Sequence, residues 1–236
     1  MRAVILAGGK GTRLRPFTYS LPKPLMPIGG EMPILEIILK QLKKNKFNHI
    51  TIAVNYMAKI LQAFFRDGSD WGLKIDYSFE EKPLSTIGPL TLIDDLPENF
   101  LVMNGDILTD LNYRQFFNWH IKNACDITVA TFKRVSKINF GVLEYNENQE
   151  VYGFTEKPKY HFDVSMGIYA INKRVIDNLP KNEPFGFDDL MIKGINDKLR
   201  IKSYLHDSYW LDIGRNDDYQ KANEDYLNNK EKILNL

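Results

Sequence analysis

The chain of 236 residues has very little cysteine, almost no net charge and no long hydrophobic run. Its single cysteine, Cys125, excludes an internal disulfide framework and is typical of a reducing compartment; because it lies in the apolar run CDITVATF, we expect a buried structural thiol. A net charge of +1 argues against a general nucleic-acid binder. No apolar run approaches the ~20 residues that span a bilayer, so we expect no membrane partner.

The chain also lacks internal repeats, low-complexity segments and Gly/Ser-rich linkers. Its opening, MRAVILAGG, places glycines where a signal peptide would still be apolar, so we expect a cytoplasmic protein without an export signal. The hydrophobic fraction of 44% is ordinary for a globular protein, and the length suits one large domain. We therefore expect a single domain across residues 1–236.

Short apolar runs typical of strands alternate with amphipathic helical patterns over the first 135 residues. The strand patterns are AVILA, HITIAVN, LKIDYSF, NFLVMNGD and DITVATF, and the helix patterns are PILEIILKQLKKN, AKILQAFFRDG and YRQFFNWHIKN. This alternation predicts an α/β fold, a Rossmann-like, mostly parallel mixed sheet flanked by helices. Beyond about residue 135 we expect extra strands, with a hairpin in FGVLEYNENQEVYGFTEKP and a strand in SMGIYAIN, and then a terminal helix in DDYQKANEDYLNNKEKIL.

A glycine-rich loop, LAGGKGTRLRPFTYSLPKPLMP at residues 6–27, follows the first predicted strand. Its glycines, Gly8, Gly9 and Gly11, match neither GxGxxG nor GxxxxGK[ST], so neither the dinucleotide fingerprint nor the P-loop is present. Glycines still let backbone N–H groups approach a phosphate, and Arg13 adds a planar fork of donors suited to bidentate phosphate contact. On these residues alone, a tight turn with a surface arginine is the alternative.

The loop resembles the signature of the sugar-1-phosphate nucleotidylyltransferases, GGxGTRL followed by a lysine about ten residues on. MNGD, FTEKP, GIYAIN and WLDIG match later family segments in the right order, so the resemblance covers nearly the whole chain. It implies the nucleotide-diphospho-sugar transferase fold and an enzyme that joins a sugar 1-phosphate to a nucleoside triphosphate, with Mg²⁺ as cofactor. It also implies that residues 1–135 form the nucleotide-binding part, and residues 136–236 the sugar-binding part with the C-terminal helix.

The same resemblance assigns residues to the two substrates. Of these, Arg13, Lys23 and Asp106 are the candidate catalytic residues. The residues implied to bind the nucleoside triphosphate are Leu6, Ala7, Gly8, Gly9, Gly11, Thr12, Arg13, Lys23, Glu80, Ser85, Thr86 and Asp106. The residues implied to bind the sugar phosphate are Gly141, Glu156, Lys157 and Ser165.

Two aspartates are candidates for binding Mg²⁺, an ion that takes one or two carboxylates together with substrate phosphates and water. Asp106 in MNGD comes directly after a predicted strand, and Gly105 allows a close approach to it. Asp212 lies in YWLDIG. Taken alone, NGD is also a common turn with a capping aspartate, but the resemblance points to both carboxylates as metal ligands.

The implied reaction needs positive charge more than it needs a base. A phosphate monoester has its second pKa at about 6, so the attacking oxygen is already anionic at neutral pH. None of the four histidines lies in a motif that indicates a general base. The obstacle is repulsion among anions, which positioning and cations overcome, and Arg13, Lys23 and Lys157 are the candidate cations.

Three positions depart from the family pattern and bear on specificity. Ser85 in EEKPLSTIGPL stands where glycine is typical, and Ser165 stands where asparagine is common. Glu80 occupies a position often held by glutamine; a carboxylate accepts hydrogen bonds only, which suits the two donors on the edge of guanine. We therefore expect GTP, and KPL at residues 23–25 and the short chain without the left-handed β-helix repeats of bifunctional relatives favour a mannose- or heptose-like 1-phosphate. A uridylyl-, thymidylyl- or cytidylyltransferase, an inactive regulatory homologue and a homo-oligomer all stay open.

Overall fold

The computed structural model describes residues 1–234. Their strands are, in chain order, β1 (Arg2–Leu6), β2 (Pro27–Ile28), β3 (Met32–Pro33), β4 (His49–Val54), β5 (Lys74–Phe79), β6 (Asn99–Asn104), β7 (Ile107–Thr109), β8 (Ile127–Lys137), β9 (Gly141–Tyr145), β10 (Val151–Glu156), β11 (Lys159–Asn172), β12 (Ile201–His206) and β13 (Trp210–Asp212). The α-helices are α1 (Ile34–Lys44), α2 (Ala58–Phe65), α3 (Tyr113–Lys122), α4 (Lys173–Asp177), α5 (Phe187–Asn196) and α6 (Asn216–Ile233), the last kinked at Asn229. Short 3₁₀ helices cover Thr12–Leu14, Phe17–Tyr19, Lys23–Leu25, Ser69–Trp71 and Gly88–Leu92.

Seven of these strands form one sheet in the order β12-β8-β11-β6-β1-β4-β5. Strands β6, β1, β4 and β5 are parallel to their neighbours within that group, and β12 is parallel to β8. Strand β11 runs antiparallel to both β6 and β8. The mostly parallel mixed sheet of the predicted fold class is therefore confirmed.

The central strands are apolar on both faces, because helices cover the sheet from both sides. Successive residues of β1 alternate between two buried clusters: Ala3 and Ile5 contribute to the larger cluster with α1, and Val4 contributes to the other. Cys125 is buried, as expected for a structural thiol. Among residues 1–234, no helix combines the length and hydrophobicity needed to cross a bilayer.

The strands beyond the core are longer and more numerous than the sequence pattern indicates. Strand β8 continues to Lys137, five residues past DITVATF, and β11 begins at Lys159 instead of at Ser165. These extensions pair with each other outside the core, where charged side chains hide the apolar pattern of a strand. Residue 135, the expected boundary between the two parts, falls inside β8, which pairs with β11 and β12 from the second part.

The topology places two loops side by side. Strand β6 lies next to β1 in parallel, with Leu6 opposite Asn104, the last residues of both strands. Gly105 then donates its N–H to the carbonyl oxygen of Leu6 at 2.9 Å. The glycine-rich loop and the MNGD turn therefore leave the sheet at the same edge, where α/β sheets bind their ligands.

Candidate active site

A cavity of about 430 Å³ opens at this edge of the sheet, between the loops that follow β1, β4, β5 and β6. All twelve residues that the family resemblance assigns to the nucleoside triphosphate line it. The other lining residues are Pro24, Asn55, Pro83, Pro89, Asn104 and Gly105. Within residues 1–234, no histidine lines this cavity.

The three glycines of the loop differ in their backbone conformation and in the space around them. Gly11 has φ +60°, and a Cβ there would lie 2.9 Å from the Thr18 side chain and 3.3 Å from that of Lys23. A Cβ on Gly8 would lie 2.7 Å from Oε1 of Glu80, so Gly8 brings the loop against the opposite wall of the cavity. At Gly9 no atom lies within 4 Å of such a Cβ, which leaves this stretch of backbone open to a ligand.

Lys23 and Asp106 face each other across the cavity wall and form an ion pair between Nζ and Oδ2. Lys23 begins a 3₁₀ helix after Pro22, and its side chain is only 10% exposed. The second carboxylate oxygen of Asp106, Oδ1, is buried without a hydrogen-bond partner among the described residues. A buried carboxylate oxygen without a partner is costly for the fold and is suited to a cation.

Asp212 lies beside Asp106, although it does not line the cavity. Strand β13 pairs with β7 so that Asp212 is opposite Ile107, and the N–H of Ile213 donates to the backbone oxygen of Asp106 at 3.0 Å. Burial raises the pKa of Asp212, the Asp106 carboxylate raises it further, and the cations of Lys23 and Arg13 lower it. Two carboxylates and two cations thus form one electrostatic cluster.

This cluster fits Mg²⁺ in the composition of its donors. No group of three or more His, Cys, Asp or Glu side chains in the described part of the chain could hold a metal ion by itself. Two carboxylates, one with a free buried oxygen, match an ion that takes most of its remaining ligands from phosphates and water.

The opposite wall is formed by Glu80 and the loop that follows it. The N–H of Leu84 donates to Oε2 of Glu80 at 3.0 Å, and the side-chain amide of Asn55 donates to the backbone oxygen of Glu80 at 2.8 Å. Burial raises the pKa of Glu80, and the hydrogen bond from Leu84 lowers it. Glu80 is therefore held in place by the chain at one oxygen and faces Gly8 with the other.

Ser85 and Thr86 continue this loop. Ser85 has φ +66°, a conformation that favours glycine, which gives a physical reason for the glycine typical of the family at this position. The hydroxyl of Thr86 accepts the N–H of Phe187, the first residue of α5, at 2.8 Å. The loop is thereby fixed to the C-terminal part of the chain.

The residues assigned to the sugar phosphate do not line the cavity. Gly141 and Glu156 are opposite each other at the base of the β9–β10 hairpin, and Lys157 and Glu156 form an exposed ion pair at 3.3 Å. Ser165 is closer, because its hydroxyl accepts the N–H of Gly167 at 3.2 Å. A Cβ on Gly167 would lie 2.6 Å from Nδ2 of Asn104, a cavity residue.

Asn55 and Asn104 are the polar cavity residues that the sequence reasoning missed. Asn55 follows β4 directly and Asn104 is the last residue of β6, so both lie at the carboxyl ends of parallel strands. That position was the available signal, since ligands of open α/β sheets bind there.

A family model described as "Nucleotidyl transferase" matches residues 2–229. The chain belongs to this family. The nucleotidyl transferase family that the GGKGTRL loop led us to expect is thus confirmed. A mannose-1-phosphate guanylyltransferase of Mycobacterium tuberculosis is 31% identical over 95% of this chain, and a UTP–glucose-1-phosphate uridylyltransferase of Synechocystis is 31% identical over 100% of it. The chain spans 64% and 66% of the length of these two relatives.

Solved structures of a similar protein support the fold. The crystal structure of HddC from Yersinia pseudotuberculosis has a TM-score of 0.74 and 27% identity, covering 95% of this chain and 99% of HddC. HddC complexed with GMP-PN matches with a TM-score of 0.72 and 25% identity, over the same shares of the two chains.

Proposed function

We propose that this chain transfers the nucleotidyl group of GTP to a mannose- or heptose-like sugar 1-phosphate and releases pyrophosphate. The observation that carries this proposal is the convergence of the open glycine loop, Arg13, Lys23 and Asp106 at one cavity. The guanylyltransferase relative and the GMP-PN complex of HddC support the choice of GTP. The nucleoside triphosphate and the sugar phosphate are the proposed partners, and the cytoplasm is the proposed location.

The reaction requires that a phosphate oxygen of the sugar 1-phosphate form a bond to the α-phosphorus as the bond between that phosphorus and the bridging α–β oxygen breaks. The attacking oxygen is already anionic at neutral pH, so no protein base is required. Arg13 and Lys23, at the cavity wall, stabilise the charge that the phosphates accumulate, and the N–H groups of Gly8 and Gly9 contribute backbone donors.

Asp106 and Asp212 are the residues we assign to Mg²⁺. These two carboxylates would hold the ion where its positive charge would offset that of the phosphates at the reacting centre. In the protein alone, Lys23 occupies one oxygen of Asp106 and the other oxygen is buried without a partner. Lys23 is therefore positioned between a metal ligand and the phosphate site, and can neutralise either one.

Glu80 is the residue we assign to base recognition. Guanine presents N1–H and a 2-amino group side by side, and a carboxylate accepts both. Uracil presents a single N3–H at the corresponding edge, which a carboxylate also accepts, so a uridylyltransferase is the second candidate. The Synechocystis uridylyltransferase, at 31% identity, supports this second candidate. On the sugar side we assign Gly141, Glu156, Lys157 and Ser165, of which Ser165 contacts the turn beside Asn104.

The experiment is a panel of five nucleoside triphosphates, each with several sugar 1-phosphates and Mg²⁺, scored by pyrophosphate release. GTP with a mannose or heptose 1-phosphate is expected to give the highest kcat/KM, and Asp106→Asn to give almost no turnover while it keeps the folded circular-dichroism spectrum. An absence of pyrophosphate release with every pair would refute the proposal.

A substitution at Glu80 tests base recognition separately. Glu80→Gln replaces one acceptor by a donor, so we expect kcat/KM for GTP to fall more than that for UTP. Glu81→Gln is the matched control, because the neighbouring Glu81 is exposed and does not line the cavity. An equal loss for all triphosphates would count against recognition of the base by Glu80.

A further inference from the structure

A long two-stranded arm projects from the main sheet. It consists of residues 132–165: the outer halves of β8 and β11 and, beyond them, the β9–β10 hairpin. Lys137 is opposite Lys159, the N–H of Ile138 donates to the oxygen of Pro158 at 3.1 Å, and Gly141 is opposite Glu156, so the pairing continues along the arm. We call residues 141–156 the tip of the arm, and residues 132–140 and 157–165 its base.

The arm exposes more apolar surface than a solvated hairpin needs. Phe140, Tyr152 and Phe154 are 77%, 72% and 63% exposed. The six aromatic residues of the arm that are at least two-fifths exposed are Phe140, Tyr145, Tyr152, Phe154, Tyr160 and Phe162. Since a fully exposed aromatic side chain presents ~150–250 Å², these six present roughly 700 Å². That area approaches the ~800 Å² that each partner contributes to a stable protein interface.

The charges of the arm are separated along its length. The tip carries four carboxylates and no lysine or arginine, for a net charge of −4; they are Glu144, Glu147, Glu150 and Glu156. The base carries five cations against the single carboxylate of Asp163, for a net charge of +4; the cations are Lys133, Arg134, Lys137, Lys157 and Lys159. Glu156 and Lys157, which are assigned above to the sugar phosphate, pair with each other and contribute no net charge to a contact between arms. The other three carboxylates of the tip and the other four cations of the base form no ion pair with another described residue, and they carry the complementarity argued below.

We propose that the arms of two copies of this chain pair antiparallel about a two-fold axis, with the tip of each arm against the base of the other. A two-fold axis requires a self-complementary surface, because each contact occurs twice. A tip of net charge −4 opposite a base of net charge +4 meets this requirement in both directions at once. The occupant that fits both ends of the arm is therefore a second arm.

The backbone of the tip also favours such pairing. Strands β9 and β10 form a sheet of only two strands, so each has one edge without a partner strand among residues 1–234. A two-stranded hairpin is marginally stable by itself, and free edges pair readily with another strand. Contact with a second arm would bury the exposed aromatic side chains and offer partners to these edges.

The test is sedimentation velocity of the full chain over a range of concentrations. We expect a species of twice 27.4 kDa for the wild type. A tip variant (Glu144→Lys, Glu147→Lys and Glu150→Lys) changes the tip from −4 to +2, and a base variant (Lys133→Glu, Arg134→Glu and Lys137→Glu) changes the base from +4 to −2. In a dimer of either variant alone, the tip and the base that face each other carry charges of the same sign, so we expect self-association to weaken by about tenfold or more.

Mixing the two variants separates charge complementarity from damage to the fold. In a one-to-one mixture, the positive tip meets the negative base and the negative tip meets the positive base, so the dimer is expected to return. As a control, Lys59→Glu, Lys122→Glu and Lys198→Glu change the same number of charges at exposed positions outside the arm and should leave the dimer intact. A monomeric wild type, a dimer that persists in both variants, or a mixture that stays monomeric would each overturn the proposal. These readouts need no substrate and are independent of the proposed activity.

Discussion

The ion pair between Lys23 and Asp106 supports a quantitative prediction. Lys23→Met keeps the apolar stem of the side chain and removes its charge, which leaves Asp106 without its cation. Loss of one partner of a buried pair destabilises a protein by about 3–5 kcal/mol. The side chains here are 10% and 25% exposed, so water reaches Asp106 in part, and we expect a loss of about 2–3 kcal/mol in the free energy of unfolding.

The assay is urea unfolding at neutral pH without divalent cations, with the midpoint and the slope fitted separately. Lys193→Met is the matched control: Lys193 pairs with Asp197 four residues later at the end of α5, where the two side chains are 42% and 48% exposed, and such a pair contributes about 0.5 kcal/mol or less.

The double variant Lys23→Met with Asp106→Asn tests the cause of the loss. If the loss comes from the uncompensated Asp106 charge, removal of that charge should recover at least half of it. A Lys23→Met protein within about 0.5 kcal/mol of the wild type, or strictly additive losses in the double variant, would refute the electrostatic reasoning.

Two further predictions concern residues around the cavity. Because the pKa of Asp212 is raised above its ordinary value of 3.8, the stability of the fold falls as the pH rises above 3.8, and this loss is complete once the pH exceeds the raised pKa. Asp212→Asn should therefore raise the Tm at pH 7 without divalent cations, by an amount that vanishes below pH 3.8, while turnover is lost. A lower Tm at pH 7 would contradict this. Ser85→Gly should increase the free energy of unfolding by about 0.5 kcal/mol, because serine at φ +66° costs more than the entropy that glycine loses on folding. The control Ser203→Gly, in the extended strand β12, should lower the free energy of unfolding. Urea unfolding measures both variants, and a lower free energy of unfolding for Ser85→Gly would show that the substitution relieves no backbone strain.

The parts of the site that the strand pattern alone could predict adjoin β1 and β6 in the chain, whereas Glu80, Ser85 and Thr86 after β5 were assigned only by the family resemblance. Gly11, Arg13 and Asp106 follow strands with continuous apolar patterns, so their positions at one edge of the sheet follow from the parallel order. Asp212 was less accessible to such reasoning. It reaches Asp106 through the short pairing of β13 with β7, which no hydrophobic period indicates.

The arm shows a second reason why sequence patterns fall short. In Lys133–Lys137 and Lys159–Phe162 charged and polar residues interrupt the apolar ones and no face is buried, so each segment forms a strand by pairing with the other. The hairpin was predicted correctly, since its turn at residues 146–150 is polar and both of its strands are rich in aromatic and β-branched residues. What the sequence pattern could not show is that the hairpin and the outer halves of β8 and β11 form one continuous arm.

Local features that lower stability are concentrated around the cavity. Oδ1 of Asp106 is buried without a partner, Asp212 places a second carboxylate beside it, and Ser85 holds a backbone conformation suited to glycine. Each of these is unfavourable for the fold alone, and features of this kind persist where binding gives them a compensating role. A cation at Asp106 and Asp212 would remove the first two costs together, which packing of the protein cannot do. Binding of charged ligands, and not stability, is therefore the physical explanation for the arrangement of this edge of the sheet.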